Sequence, residues 1–429
     1  MKKVAVFGLG FVGLPLALSF AMRGCQVYGV DIDPNLINEL NNGVTHHLEA
    51  YGSKSIQQIL REELDSGRFQ ATGDGAQAIK ECANIIVTVG IPVTDSAADM
   101  KPLEMVCKTI AMGLKANDVL LIRSTVIPGT TRRHVVPWLE TSGLRAGEDF
   151  YLAYSSERIA EGKAFYEFEN MPAVLAGINA QSTDKAVELM SIVTKAEIHK
   201  ASQMEVVECA KVMENVSRDV NIAMSNEFAR YTASIGVDIF EVIRAANTHQ
   251  RVNLLTPGPG VGGYCLPNAL YYLLPRTQET GLDLPLLKTA RAINDSVPAY
   301  VAGMALRNLP VPPNQAKLAV LGIAMKDYSN DDRISPAIDV IGHLQMAGCT
   351  VAAYDPAVPT PRDFKVESLD DALDGAHGVL VLACQDGIDY HNLELFKQKL
   401  AGAAPFIVDV KNIYSHDEME RIGLRLITL

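Results

Sequence analysis

Short, predominantly apolar runs alternate with longer helical patterns along most of this chain. Residues 4–7 form one such run, 14–23 follow with helical spacing, and 26–30 form a second run that ends at Asp31. Further runs at 85–89, 119–122 and 151–154 continue the alternation. Strands that are apolar throughout, rather than at every second position, predict a parallel sheet covered on both faces. Residues 202–235 then read as one long helix without Gly or Pro, and more helical sequence fills 270–294. A Pro-rich segment at 309–314 precedes a restart of the alternation: strand 317–321, helix 335–347, strand 350–354 ending at Asp355, and strands 378–383 and 405–410.

Between the first two strands stands GLGFVG at 8–13. Strand, GxGxxG, helix, strand and acid in that order form the dinucleotide-binding signature. Gly8, Gly10 and Gly13, with Phe11 and Val12 between them, make a turn that brings backbone close to a pyrophosphate at a helix N-terminus. Asp31 would accept from ribose hydroxyls and repel a 2′-phosphate, which favours NAD over NADP. The expected fold is α/β: two Rossmann-like doubly wound parallel-sheet domains joined by a long central helix and a helical middle domain. The expected boundaries are 1–200 (NAD-binding), 201–308 (helical middle and dimerisation) and 314–429 (a second Rossmann-like lobe). The last domain lacks the glycine fingerprint. It carries GIAMK at 322–326 and DDR at 331–333 instead, which suggests a nucleotide-type lobe holding something other than the dinucleotide.

Composition narrows the partners. The chain has 429 residues, 48% hydrophobic and 21% charged, with a formal charge of −12, which describes an ordinary globular protein and not a nucleic-acid or anionic-membrane binder. The N-terminus enters a strand directly, without a signal-peptide pattern, and no apolar run approaches a bilayer span. Seven scattered cysteines without paired spacing read as reduced thiols of a cytoplasmic protein, and no metal site is expected.

Four stretches carry candidate chemistry. PGPGVGGYCL at 257–266 could hold Cys265 at one depth in a pocket, or be a plain Gly/Pro turn with an incidental cysteine. STVIPGTT at 124–131 follows a strand, so Ser124 and Thr125 lie where open sheets bind ligands; a helix N-cap at Thr130 or Thr131 is the simpler alternative. SSERIAEG at 155–162 places Glu157 and Glu161 at a strand end, where either could face the cleft. Lys211 and Asn215 share one face of the long helix, and Asn221 and Asn226 continue a polar content unusual for a buried helix. Polar residues on such a helix ordinarily face solvent.

Taken together, these motifs resemble the UDP-glucose/GDP-mannose dehydrogenase family, and KVMENVSRDVNIAMSNE at 211–227 with the long glycine loop looks most like its UDP-N-acetylhexosamine branch. The resemblance covers essentially the whole chain. It implies NAD-dependent, four-electron oxidation of C6 of a UDP-sugar to the uronic acid, a step that serves polysaccharide biosynthesis. It implies Cys265 as the nucleophile that captures the aldehyde and becomes a thioester, Lys211 and Asn215 as stabilisers of the C6 oxygen, Thr125 as the group positioning water, and Glu157 as proton relay. Substrate contacts are implied for Glu157, Arg158, Glu161, Lys211, Asn215, Arg251, Gly262, Gly263, Lys326 and Lys411. Cofactor contacts are implied for the 8–13 turn, Asp31, Pro92, Ser124, Thr125, Glu161 and Arg333. UDP-glucose remains the alternative substrate, and a homodimer through the long helix is the expected assembly.

The chain departs from the family pattern at several points. Ala269 stands where relatives usually carry an aspartate, and the neighbouring Asn268 cannot act as a base. Tyr264 replaces the usual histidine beside the thiol. Gly90, Ile91 and Pro92 replace a proline-threonine-proline stretch, and Arg123 precedes Ser124 where Glu or Lys is usual. These departures keep open a member whose hydrolysis step is altered or lost, or one that only binds its nucleotide sugar.

Overall fold

The computed structural model describes residues 1–160, 162–402 and 404–429. The chain divides into two compact units, one made of Met1–Glu214 with Tyr271–Leu282 and the other of Asn215–Leu270 with Asp283–Leu429.

The first unit is built on an eight-stranded sheet. Its strands are β1 (Lys3–Phe7), β2 (Gln26–Val30), β3 (Phe69–Thr72), β4 (Asn84–Val87), β5 (Val119–Ile122), β6 (Tyr151–Ser155), β7 (Ala173–Gly177) and β8 (Ile198–Lys200). They lie in the order β8-β7-β6-β5-β4-β1-β2-β3. Phe7 is in register with Val30 on one side and Val87 on the other. The order reverses between β1 and β4, which opens the crevice at their carboxyl ends where doubly wound sheets bind ligands. The strands were expected to be parallel, but β6 and β7 pair antiparallel. Helix α1 (Gly13–Met22) is buried from Gly13 to Ala21, consistent with its nearly unbroken apolar sequence.

The second unit carries a five-stranded, wholly parallel sheet of β9 (Lys317–Leu321), β10 (Thr350–Tyr354), β11 (Gly378–Val381), β12 (Phe406–Asp409) and β13 (Arg425–Thr428), ordered β10-β9-β11-β12-β13. Its first turn copies that of the other unit in outline only. Gly322 has φ +80°, and a Cβ there would stand 2.0 Å from the Ala383 carbonyl oxygen. The acid after the second strand, Asp355, is buried and accepts from the Ile323, Ala324, Ala357 and Val358 N–H groups and from the Gln385 amide. A carboxylate so committed to its own turn is not presented to a ribose, which is a physical reason for this lobe to differ from the dinucleotide lobe.

The long helix, α2 (Met204–Ser234), matches expectation. The helical stretch after the glycine loop resolves into two elements, α3 (Cys265–Thr280) and α4 (Pro285–Leu306). Gly281, at φ +69°, ends the first, and Pro285 occupies the first position of the second, which is the ordinary Gly-stop and Pro-start pairing. Several polar residues of α2 do not face solvent as such residues usually do. Asn215, Asp219, Ser225 and Asn226 are buried. Asp219 pairs with the buried Arg291 of α4 at 2.6 Å and accepts from the Asn294 amide at 2.9 Å. Burial pushes the Asp219 carboxyl upward while Arg291 opposes the shift.

Candidate active site

The dinucleotide turn fits its cofactor. Gly8 has φ +90°, a conformation that side chains strain to adopt. A Cβ on Gly13 would stand 1.7 Å from the Gly8 carbonyl oxygen and 2.7 Å from the Thr88 hydroxyl, whereas a Cβ on Gly10 would meet nothing within 4 Å. One glycine is thus required by the protein's own packing, and the other leaves open space at the start of α1. Asp31 accepts from the Leu9 N–H at 2.8 Å, so the acid also fixes the turn it serves, and its half-exposed carboxylate stays at the edge of the crevice. The Phe11 ring lies 4.9 Å from that of His47. Burial and the neighbouring His46 hold the His47 imidazole down to about 4, so it is neutral near pH 7. Pro92 is exposed and follows Ile91, whose carbonyl accepts from the Tyr272 hydroxyl at 2.7 Å.

The 124–131 turn leaves the end of β5. Ser124 is buried, and its hydroxyl has no hydrogen-bond partner among the described residues. A buried hydroxyl without a protein partner calls for an explanation. Thr125 is half-buried. The Thr130 hydroxyl does not cap the helical turn that follows, and the Thr131 hydroxyl donates instead to Glu208 of α2. The Tyr154 hydroxyl donates to the Ser124 carbonyl at 3.1 Å, and Arg276 donates to the Pro128 carbonyl at 2.7 Å.

Glu157 is buried and already has partners. One oxygen accepts from the Arg123 guanidinium, and the other accepts from the N–H groups of Arg158 and Ile159 at 2.6 and 2.9 Å. Arg123, the residue before Ser124, is therefore the direct partner of this carboxylate. It also donates to the Ser155 hydroxyl at 3.1 Å. Arg158 pairs with Glu214 at 2.9 Å. Lys211 is half-buried on the same helix. Glu161 lies outside the described residues.

In the second unit, Cys265 is the first residue of α3 and is exposed. Burial pushes each of the six other thiols upward, Cys82 and Cys107 to about 12 and Cys384 to about 11. The loop before Cys265 is shaped by contacts that exclude side chains. A Cβ on Gly260 would stand 2.9 Å from Pro336, one on Gly262 would stand 2.7 Å from the Met325 carbonyl, and one on Gly263 would stand 2.7 Å from the Met325 sulfur. The Gly263 N–H donates to the Ile334 carbonyl at 3.1 Å. The segment upstream hangs from α2: Asn221 donates to the Asn253 carbonyl and accepts from the Leu255 N–H, and Asn226 accepts from the Gly258 N–H. The amides that the sequence singled out as unusual thus shape the approach to the cysteine.

The glycine loop packs on the 325–336 segment, which carries Lys326 and Arg333. Ile334 adopts φ +50° there, a strained value for a β-branched residue. Arg333 forks onto Asp331, with its closest contact at 2.6 Å, and Lys411 pairs with Asp327 at 2.8 Å. Burial raises the Asp331 carboxyl, but the hydrogen bonds and charge of Arg333 outweigh it and leave the group below its ordinary value. Arg251 is exposed. Ala269 is buried next to Asn268, whose amide is turned back onto the Tyr264 carbonyl at 2.8 Å. Neither residue is a carboxylate. Sequence reasoning passed over Glu208 and Arg276. The first was detectable one helical turn before Lys211, whereas the second gave no signal.

Among the described residues no cluster of His, Cys, Asp or Glu could hold a metal ion, and no helix is long and apolar enough to cross a membrane. Comparison with known proteins agrees with this geometry. Residues 2–193, 205–296 and 319–416 match, in turn, the NAD binding, central and UDP binding domains of the UDP-glucose/GDP-mannose dehydrogenase family. The chain is 36% identical over 382 residues to UDP-N-acetyl-D-mannosamine dehydrogenase of Pyrococcus horikoshii, covering 88% of each sequence. It is 32% identical over 390 residues to UDP-N-acetyl-D-glucosamine 6-dehydrogenase of Salmonella typhi, covering 89% of each. Its fold matches a UDP-N-acetylmannosamine dehydrogenase structure from P. horikoshii with a TM-score of 0.90 at 33% identity, over 99% of both chains. By sequence, fold and the NAD-binding turn, the chain belongs to the UDP-glucose/GDP-mannose dehydrogenase family and is an NAD-dependent nucleotide-sugar dehydrogenase.

Proposed function

We propose that this enzyme oxidises C6 of a UDP-N-acetylhexosamine to the uronic acid through a thioester on Cys265. The observation that carries the reading is the state of that thiol. It is exposed at a helix N-terminus behind a shaped glycine loop, whereas none of the six other thiols is exposed. Bound NAD supplies the hydride acceptor for each of the two oxidations.

The first oxidation converts the C6 alcohol to an aldehyde, with its hydroxyl proton passing to the Glu157 relay. The Cys265 thiolate then adds to the aldehyde carbon, and Lys211 and Asn215 stabilise the resulting oxyanion. Loss of a second hydride gives the thioester. Water positioned by Thr125 adds to it, and the C–S bond breaks to release the acid and restore the thiol. Asp31 and the 8–13 turn hold the cofactor with Pro92, Ser124 and Arg333. Arg158, Arg251, Gly262, Gly263, Lys326 and Lys411 hold the nucleotide sugar. Domains at 1–200, 201–308 and 314–429 divide these tasks. The seven free thiols suit a reducing cytoplasm.

A panel of UDP- and GDP-sugars with NAD tests the reading, and the expected best substrate is a UDP-N-acetylhexosamine yielding two NADH per sugar. Preference for UDP-glucose would overturn the substrate assignment, and one NADH per sugar would show that oxidation stops at the aldehyde. The buried methyl of Ala269 favours a second reading in which hydrolysis is impaired. In that case a burst of two NADH per active site would be followed by arrest, with the acyl group retained on Cys265.

Assembly is part of the proposal. On α2, Met224, Phe228 and Tyr231 are exposed, as is Ile235 just past its end, and the spacing of the three helical residues forms one apolar seam suited to a second copy of the helix. Phe228→Glu with Tyr231→Glu is expected to convert a dimer to a monomer in light scattering. An unchanged mass would exclude this seam.

A further inference from the structure

Glu208 sits on α2 with no exposed surface. Its Oε2 accepts from the Gly129 N–H, and its Oε1 accepts from the Thr131 N–H at 2.9 Å and from the Thr131 hydroxyl. Among the described residues no lysine, arginine or histidine pairs with it. A buried carboxylate without a cation is costly to keep, and burial pushes its carboxyl upward against the hydrogen bonds from the turn. What these bonds hold is the 124–131 turn, which Tyr154 grips at its start and Arg276 in its middle. Gly129 suits that grip: its φ is +90°, a conformation side chains strain to adopt. The backbone then passes straight into a π-helical turn, Thr131–Val135, an irregularity found mostly where function requires it. Glu208 and Lys211 are three residues apart on α2, so they share one side of the helix.

We propose that Glu208 is a positioning residue for the oxidation. By clasping Gly129 and Thr131 it fixes Thr125 in relation to Lys211. The proposal rests on the assignment of Thr125 and Lys211 to the reacting centre. It goes beyond that assignment in giving a residue that touches neither substrate nor cofactor a measurable part in the rate.

Glu208→Gln keeps the shape but replaces one acceptor oxygen with an amide donor that faces other donors. With the best UDP-sugar of the panel and saturating NAD, kcat is expected to fall by about 10- to 100-fold, the cost of a misplacement near 1 Å, whether or not NAD binding weakens through Ser124 of the same turn. Thr131→Val, which removes only the hydroxyl bond, is expected to lower kcat less and to add little to Glu208→Gln in the double variant. If apparent kcat in Glu208→Gln falls only in step with the folded fraction, with KM unchanged, the proposal is overturned. Should Glu208→Gln fail to fold, Thr131→Val decides: lowered kcat at saturating NAD supports the clasp, and unchanged kcat overturns it. Lys211→Ala separates the two layers of the argument. Unchanged kcat there removes the site assignment and the clasp together, whereas lost kcat there with unchanged kcat in Glu208→Gln removes the clasp alone.

Discussion

Cys265→Ser is expected to lower steady-state NADH formation by on the order of 10³-fold or more, the scale on which covalent catalysis fails when its nucleophile is removed. The alkoxide of serine is too basic to form near neutral pH, so the aldehyde is not captured and the second oxidation loses its substrate. The side chain is exposed, so folding stability should change by no more than about 0.5 kcal/mol, and the thermal midpoint serves as the control. Mass spectrometry of acid-quenched wild-type enzyme should show an acyl adduct on Cys265 that the variant lacks. Undiminished four-electron oxidation by the serine variant would end the thioester mechanism.

Two glycine substitutions in the dinucleotide turn should part company, although their sequence positions look equivalent. In Gly13→Ala the new methyl would stand 1.7 Å from the Gly8 carbonyl oxygen. Backbone must move, α1 must lift from β1, and a loss of about 1–3 kcal/mol or more is expected for overpacking of this kind, together with failure to bind NAD. In Gly10→Ala the methyl meets no protein atom within 4 Å, so the thermal midpoint should hold while NAD affinity falls. Isothermal titration beside thermal melts distinguishes the two. An unchanged NAD affinity in Gly10→Ala would mean that the open side of the turn is not where the pyrophosphate lies.

These contrasts indicate how far local pattern carries. Strands such as Val4–Phe7 and Leu318–Leu321 are buried at every position, and unbroken apolar runs of that length announce themselves. Strand β7 is apolar throughout but was passed over. Strands β3, β8 and β13 were not legible because polar residues interrupt them, and they become strands through hydrogen bonding to neighbours far away in sequence. The antiparallel turn of β7 against β6 belongs to the same class.

By itself the sequence determined that there would be two nucleotide-type α/β lobes, a cofactor turn in the first of them, a long helix between, and a cysteine behind glycines. Those features depend on residue type and spacing, which act over a few residues. Only the tertiary structure decided how the polar groups are spent. Arg123 takes up Glu157, Glu208 clasps the 129–131 backbone, and the amides of α2 hold the loop before Cys265. A buried donor or acceptor must find a partner wherever the fold offers one, and the partner that satisfies it can lie anywhere along the chain.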